Sequence, residues 1–322
     1  MKEIPVTDIG PVRIGQVENK DAGTGCTVFV CEEGMRAGLD VRGGGPASRE
    51  SQLLSPLAAA QVIHGIVLAG GSAFGLDAAG GVMKCLEERN IGLDVGVTRV
   101  PLVAQSDLFD LMVGDPNVRP DFKMGYEAAR IALDRPNYRD GNYGAGCGCT
   151  VGKTAGMETC MKTGIGSYAV ELDELKIGAV VALNAFGDIF DWKDGNQIAG
   201  LLSREHKAFR SSPEAIKESI VKIKNRFTNN TTLGVIITNA YFDKAALCKI
   251  AGMGQDGYAR SIRPVHTSFD GDSIYAVSVG DVEADQELVG SLAAEVISEA
   301  IIRAVTSAES AYGFPALRDL DF

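Results

Sequence analysis

Glycine sets the first constraint on this chain. It fills 39 of 322 positions, about 12% against the ~7% usual in globular proteins. The glycines do not recur every third residue, which excludes a collagen-like rod. They gather in short clusters: GGG at 43–45, Gly70-Gly71, and the run GNYGAGCGCTVGK at 141–153. Apolar runs lie between the clusters. Such a chain folds into short elements joined by tight turns, with backbone passing close to backbone.

The apolar runs carry two periods. Residues 25–31, 62–69, 164–170, 176–183, 231–240 and 273–280 read as strands. The segment after Gly71 and residues 120–134, 212–225, 243–252 and 284–306 read as helices. In 212–225, Ser212 is the expected cap and Pro213 the first helical residue. GLDVRGGGPASRESQLL reads as a loop, and 100–113 is apolar but ambiguous. Both element types are plentiful and do not alternate strictly, which points to an α+β fold of sheets covered by helices. No repeat or linker divides the chain, so 1–322 is expected to be a single domain. Its sharpest discontinuity is the polar link RFTNN at 226–230.

Charge narrows the function. The net charge of −11 argues against nucleic-acid and anionic-membrane partners, which need a basic surface. It fits either a solubility device or a substrate carrying a free amine. No run reaches the roughly 18 apolar residues of a membrane span, and the first residues lack a secretory apolar run. Seven scattered cysteines suggest a reducing, cytoplasmic setting.

Several motifs fail on spacing. Gly70, Gly71 and Gly75 do not make the G-x-G-x-x-G of a dinucleotide loop. Gly152-Lys153-Thr154 ends like a phosphate loop, but Cys147 stands where that loop needs glycine. Ser72 misses the nucleophile elbow G-x-S-x-G by one residue. Three histidines and Cys147-x-Cys149 give no zinc ligand set. No cofactor and no metal are expected.

Asn230-Thr231 is chemically more promising. A Thr that becomes residue one of a new chain can use its own α-amine, with a pKa near 7.7–8, as general base. The bond lies in a polar link just ahead of an apolar strand, which can hold a new terminus rigidly. An Asx-type turn entering a strand is the commoner meaning of these residues when they stand alone.

Seven blocks, in order, bear a wider resemblance: GTGCTVFV, VRGGGPASRESQLLSP, VLAGGSAFGLDAAGGV, GNYGAGCGCTVGK, VVALNAFGDI, NTTLGVIITNA and RPVHTSFDGD. The chain resembles the self-processing, N-terminal-nucleophile aminopeptidase family that includes L-aminopeptidase/D-amidase-esterases, β-peptidyl aminopeptidases and nylon-oligomer hydrolases. The resemblance implies a four-layer αββα sandwich and a homo-oligomer, tetramer or octamer. It implies self-cleavage into 1–230 and 231–322, with Asn230 giving the cut carbonyl and Thr231 the nucleophile. Asn184 falls on the oxyanion-holding position, with a strand-end turn as its other reading. Lys153 falls on a lysine near the nucleophile, where a surface lysine on a glycine loop is the alternative. Asp270 and Asp272 fall on orienting positions, although Asp-Gly-Asp also makes a tight turn. A tyrosine that assists the oxyanion in some members has no clear counterpart: Tyr143 sits in another column, and Phe109 is what LFDL offers. The implied activity is hydrolysis of amides, esters or short peptides with a free amine. L-, D-, β- and ω-amino substrates all remain open. A non-processed small-molecule-binding protein of the same fold is the alternative.

Overall fold

Strand β3, Thr24–Val41, organises the molecule. In the computed structural model, which describes residues 1–218 and 230–322, this one strand belongs to two sheets. Its second half, from Arg36 to Val41, pairs with β10 (Ser273–Val282). From there the first sheet continues through β9 (Leu233–Ala240), β8 (Leu175–Ala182) and β7 (Ile165–Leu172) to β1 (Lys2–Ile4). The first half of β3 lies between β2 (Arg13–Asn19) and β5 (Ile63–Ala69). That second sheet ends in β6 (Val103–Asp107) and β4 (Ala47–Arg49). The expected strand covers 25–31 and the expected loop begins at Gly38, whereas the strand runs on to Val41. Glu32, Glu33 and Gly34 break the apolar run, but the pairing absorbs them in a register shift between Val30 and Met35. Such a bulge bends a strand without ending it.

The strands are apolar on both faces because both faces are covered. Val28 and Val30 point to one side of the second sheet, toward Val82 of α1 (Ala78–Glu88) and Ala128 of α2 (Phe122–Asp134). Phe29 and Cys31 point to the other, where they meet Val180, Val235 and Tyr275 of the first sheet. The opposite parity, Ile177, Ile236 and Ala276, packs on α4 (Lys244–Ser261) and α5 (Gln286–Thr306). Three separate apolar layers therefore lie between four layers of backbone, and the molecule is an αββα sandwich.

Two helices differ from the expected bounds. α4 runs to Ser261 rather than 252. Its glycines each cost about 1 kcal/mol in helix propensity, but they admit close neighbours. A Cβ at Gly257 would lie 2.6 Å from the Ala294 carbonyl of α5. α3 spans Ser212–Glu218, and the expected remainder to 225, with residues 226–229 of the link, lies outside the described residues. Its cap is Ser211, whose hydroxyl accepts from the Glu214 N–H. Ser212 is taken by buried Asp188, which accepts both its hydroxyl and its N–H at 2.6 Å and the Leu201 N–H at 2.8 Å. Among the described residues no helix is long and apolar enough to cross a membrane, and all seven cysteines are free.

Candidate active site

Three strand ends meet at one end of the central strands of the first sheet. β8 arrives there at Ala182, and antiparallel β9 leaves it from Leu233, opposite Ala182. β10 runs parallel to β9 and starts at Ser273, opposite Leu233. The residues just outside these strands keep the register. The Thr231 N–H donates to the Asn184 carbonyl at 3.0 Å, and the Asn230 N–H to the Phe269 carbonyl at 2.9 Å. Asn230 forms a parallel bridge with Asp270. Pairing of three strands thus collects Asn184, Asn230, Thr231, Asp270 and Asp272 from three distant stretches.

The bond between Asn230 and Thr231 is buried, the two residues being 0% and 3% exposed. The Thr231 hydroxyl donates to the Asn230 carbonyl oxygen. The same oxygen accepts the Gly271 N–H at 2.9 Å. Gly271 has no room for a side chain: a Cβ there would sit 2.6 Å from the Thr231 Oγ1. The glycines 43–45 pack their backbone against the turn that carries Asp270 and Asp272. Gly45 N–H donates to the Asp270 carbonyl at 2.8 Å and Gly44 N–H to that of Thr267 at 3.1 Å.

Asn184 is fully oriented. Its Oδ1 accepts from Lys153 Nζ at 2.6 Å and from the Thr150 N–H at 3.1 Å. Two donors on that atom fix which end of the amide is oxygen. Its Nδ2 donates to the Phe109 carbonyl at 2.9 Å, a bond that uses one of two N–H groups. Phe109 therefore enters through its backbone. Tyr143 lies apart, its ring between Arg139 and Lys20 at 4.2 and 5.1 Å.

Lys153 is buried, not a surface lysine. It follows Gly152, whose positive φ of 76° suits glycine and where a Cβ would collide with Gly200. Burial pushes its ammonium down to about 8, against the opposing pull of Cys160, Cys149, Asp270 and Asp110. Asp270 accepts the N–H and hydroxyl of Thr267, closing the tight turn. Burial, and then the neighbouring Asp272 charge, raise its carboxyl above the usual range. Asp272 accepts the Thr232 N–H at 2.9 Å on Oδ1, and both the backbone N–H and Nδ1 of His266 at 3.0 Å on Oδ2.

Three supporting groups were not anticipated. The Gly70-Gly71 turn does bind an anion, but it is the chain's own Asp110: Gly71 N–H donates to Oδ1 and the Thr24 hydroxyl to Oδ2, each at 2.7 Å. Burial raises Asp110 to about 6. The 141–153 loop does the reverse of a phosphate loop and turns carbonyls inward. Those of Gly146 and Cys149 receive the buried Lys162 ammonium at 3.2 and 3.1 Å. His266 is the third. Asp110 and His266 lie inside apolar or block sequences that could have flagged them, whereas Lys162 has no such signal. Among the described residues no group of three or more His, Cys, Asp or Glu could hold a metal ion.

The profile of peptidase family S58 matches residues 5–317. The chain belongs to that family. As an S58 peptidase it is a hydrolase of the aminopeptidase class, as the seven sequence blocks implied. It is 36% identical over 337 residues to an uncharacterized aminopeptidase of Mycobacterium leprae, covering 96% of this chain and 92% of the relative. It is 29% identical over 314 residues to the 6-aminohexanoate-oligomer endohydrolase of Agromyces sp., covering 92% and 84%. The structure of the L-aminopeptidase D-Ala-esterase/amidase from Ochrobactrum anthropi, described as a variant of the Ntn hydrolase fold, superposes with a TM-score of 0.66 at 16% identity, covering 94% and 86%. At that identity the likeness establishes the fold.

Proposed function

We propose that this S58 peptidase cuts its own chain between Asn230 and Thr231 and then uses Thr231 as an N-terminal nucleophile on amides, esters or short peptides. One observation carries the reading: the Thr231 hydroxyl lies against a buried peptide carbonyl whose oxygen already accepts a rigid backbone N–H, that of Gly271. In the first step Oγ1 attacks the Asn230 carbonyl carbon and the developing oxyanion takes the Gly271 N–H. The C–N bond breaks, its nitrogen takes the hydroxyl proton, and an ester is left. Water cleaves the ester, giving the Asn230 carboxylate and a free Thr231.

The new amine stays beside the Asn184 carbonyl, and Lys153 Nζ lies 3.4 Å from that same oxygen. The ammonium depresses the amine pKa, keeping more of it neutral and basic. On substrate, the amine takes the hydroxyl proton and an acyl-enzyme forms. The remaining Asn184 N–H steadies the oxyanion; a donor of this kind is worth about 10²–10³ in rate. Asp272 has both oxygens committed to Thr232 and His266. Asp270 is therefore the carboxylate assigned to a substrate ammonium, in keeping with an aminopeptidase.

The test is Thr231→Ala, with hydrolysis of aminoacyl amides read beside a denaturing gel. The expected result is one uncut chain without activity. An active Thr231→Ala protein overturns the proposal.

A further inference from the structure

We infer that His266 is a positioning residue for the nucleophile, acting through Asp272 and Thr232; the inference rests on the self-cleavage reading above. His266 adopts a positive φ of 56°, a conformation few non-glycine residues take, histidine, asparagine and aspartate more often than the rest. Such backbone persists only where the surroundings over-determine it. Here it brings two donors of one residue, the backbone N–H and Nδ1, onto one oxygen of Asp272, each at 3.0 Å. A carboxylate accepts only, so the ring proton on this bond sits on Nδ1. The other Asp272 oxygen accepts the N–H of Thr232 at 2.9 Å.

The chain of contacts is short and buried. Asp272 is 1% exposed and Thr232 0%. Nothing in it touches the reacting carbonyl, yet it fixes the peptide that follows Thr231 and so the direction of its hydroxyl. Misplacement of a reacting group by about 1 Å costs on the order of 10² in rate. The ring itself is hemmed in. It packs on Tyr258 with centroids 6.2 Å apart, and its Nε2 is buried without a hydrogen-bond partner. Only the Nδ1 side of the ring carries a polar contact. That asymmetry fits a residue whose side chain serves to hold one oxygen.

The test separates the ring bond from the backbone. His266→Gly accepts the positive φ and keeps the backbone N–H but loses the ring donor. His266→Asn tolerates the same φ and offers an amide N–H in place of Nδ1–H. Conversion of full-length chain to fragments is followed in a cell-free translation chase, with circular dichroism confirming folding. The glycine variant should be cut about 10–100-fold more slowly than wild type, and the asparagine variant within a few fold of wild type. Cutting of the glycine variant at the wild-type rate overturns the inference. So does equal slowing of both variants, which assigns the effect to lost bulk. If the glycine variant does not fold, the asparagine variant decides: near-normal cutting supports the role and a hundredfold loss overturns it. Thr231→Ala run alongside distinguishes the two levels. If that chain is cut, the nucleophile reading has failed. If it stays whole while the His266 variants behave as wild type, only the present inference has failed.

Discussion

Gly271→Ala tests the geometry of the cut without removing any hydrogen-bonding group. The added Cβ would lie 2.6 Å from the Thr231 Oγ1, against 3.4 Å for an ordinary contact, so one of them must yield by about 0.8 Å. The methyl cannot lean away, because the Gly45 carbonyl and Pro46 Cα stand at 3.0 and 3.1 Å. The flexible partner is the Thr231 hydroxyl, which rotates off the Asn230 carbonyl. Gly271 is not among the residues with positive φ, so alanine brings no backbone strain, and its N–H still reaches the Asn230 oxygen. The expected loss in self-cleavage is about 10²-fold, equivalent to roughly 3 kcal/mol of barrier, while the melting temperature moves by only a few degrees. The assay is the fraction of uncut chain against time after synthesis. A Gly271→Ala protein cut at the wild-type rate would refute the claim that the hydroxyl position controls the reaction.

Binding of aminoacyl amides should weaken on the acid side, beginning above the usual carboxylate range, as Asp270 protonates and loses the charge that holds the substrate ammonium; KM across pH for wild type and Asp270→Asn checks it, the variant's KM being high and without that acid-side rise. Lys153 has a stability signature. Its folded pKa lies below the ordinary lysine value of 10.5, so between about pH 8 and 10.5 the unfolded chain holds more protons and the contribution of this residue to stability rises with pH. Urea midpoints should therefore move in favour of wild type relative to Lys153→Met across that window, and a pH-independent difference would contradict the burial. Asp188→Asn turns one acceptor into a donor facing bound N–H or O–H groups at the start of α3, and should lower stability by about 1–3 kcal/mol in urea titration.

The elements were legible where one face rule governed them. β9 and β10 are β-branched runs that any strand rule finds, and α5 is an apolar helix with Asp285 capping it. What the sequence concealed was pairing. Nothing in NTTLGVIITNA or FDGDSIYAVSVG states that these strands lie parallel and in contact, and that single fact puts Asp270 beside Asn230. The long reach of β3 was hidden because Glu32 and Glu33 look like a turn until a bulge accommodates them. Lys153, Asn184, Asp270 and Asp272 are reached only through the ordered blocks, whereas local chemistry makes Thr231 possible and the blocks single it out. Their partners were harder. Lys162 is a fully buried cation held by carbonyls, including those of Gly146 and Cys149, and composition offers no sign that a lysine is inside. His266 depends on a positive-φ backbone that its neighbours in sequence do not announce.

The central claim is a break at one bond. Intact-mass and N-terminal sequence analysis of the purified wild-type protein under denaturing conditions reads it directly. Scaling the 33.9 kDa chain by length predicts fragments of about 24 and 10 kDa, the smaller beginning Thr-Thr-Leu-Gly. An active preparation consisting of a single 33.9 kDa chain, or a small fragment starting anywhere other than Thr231, would contradict it.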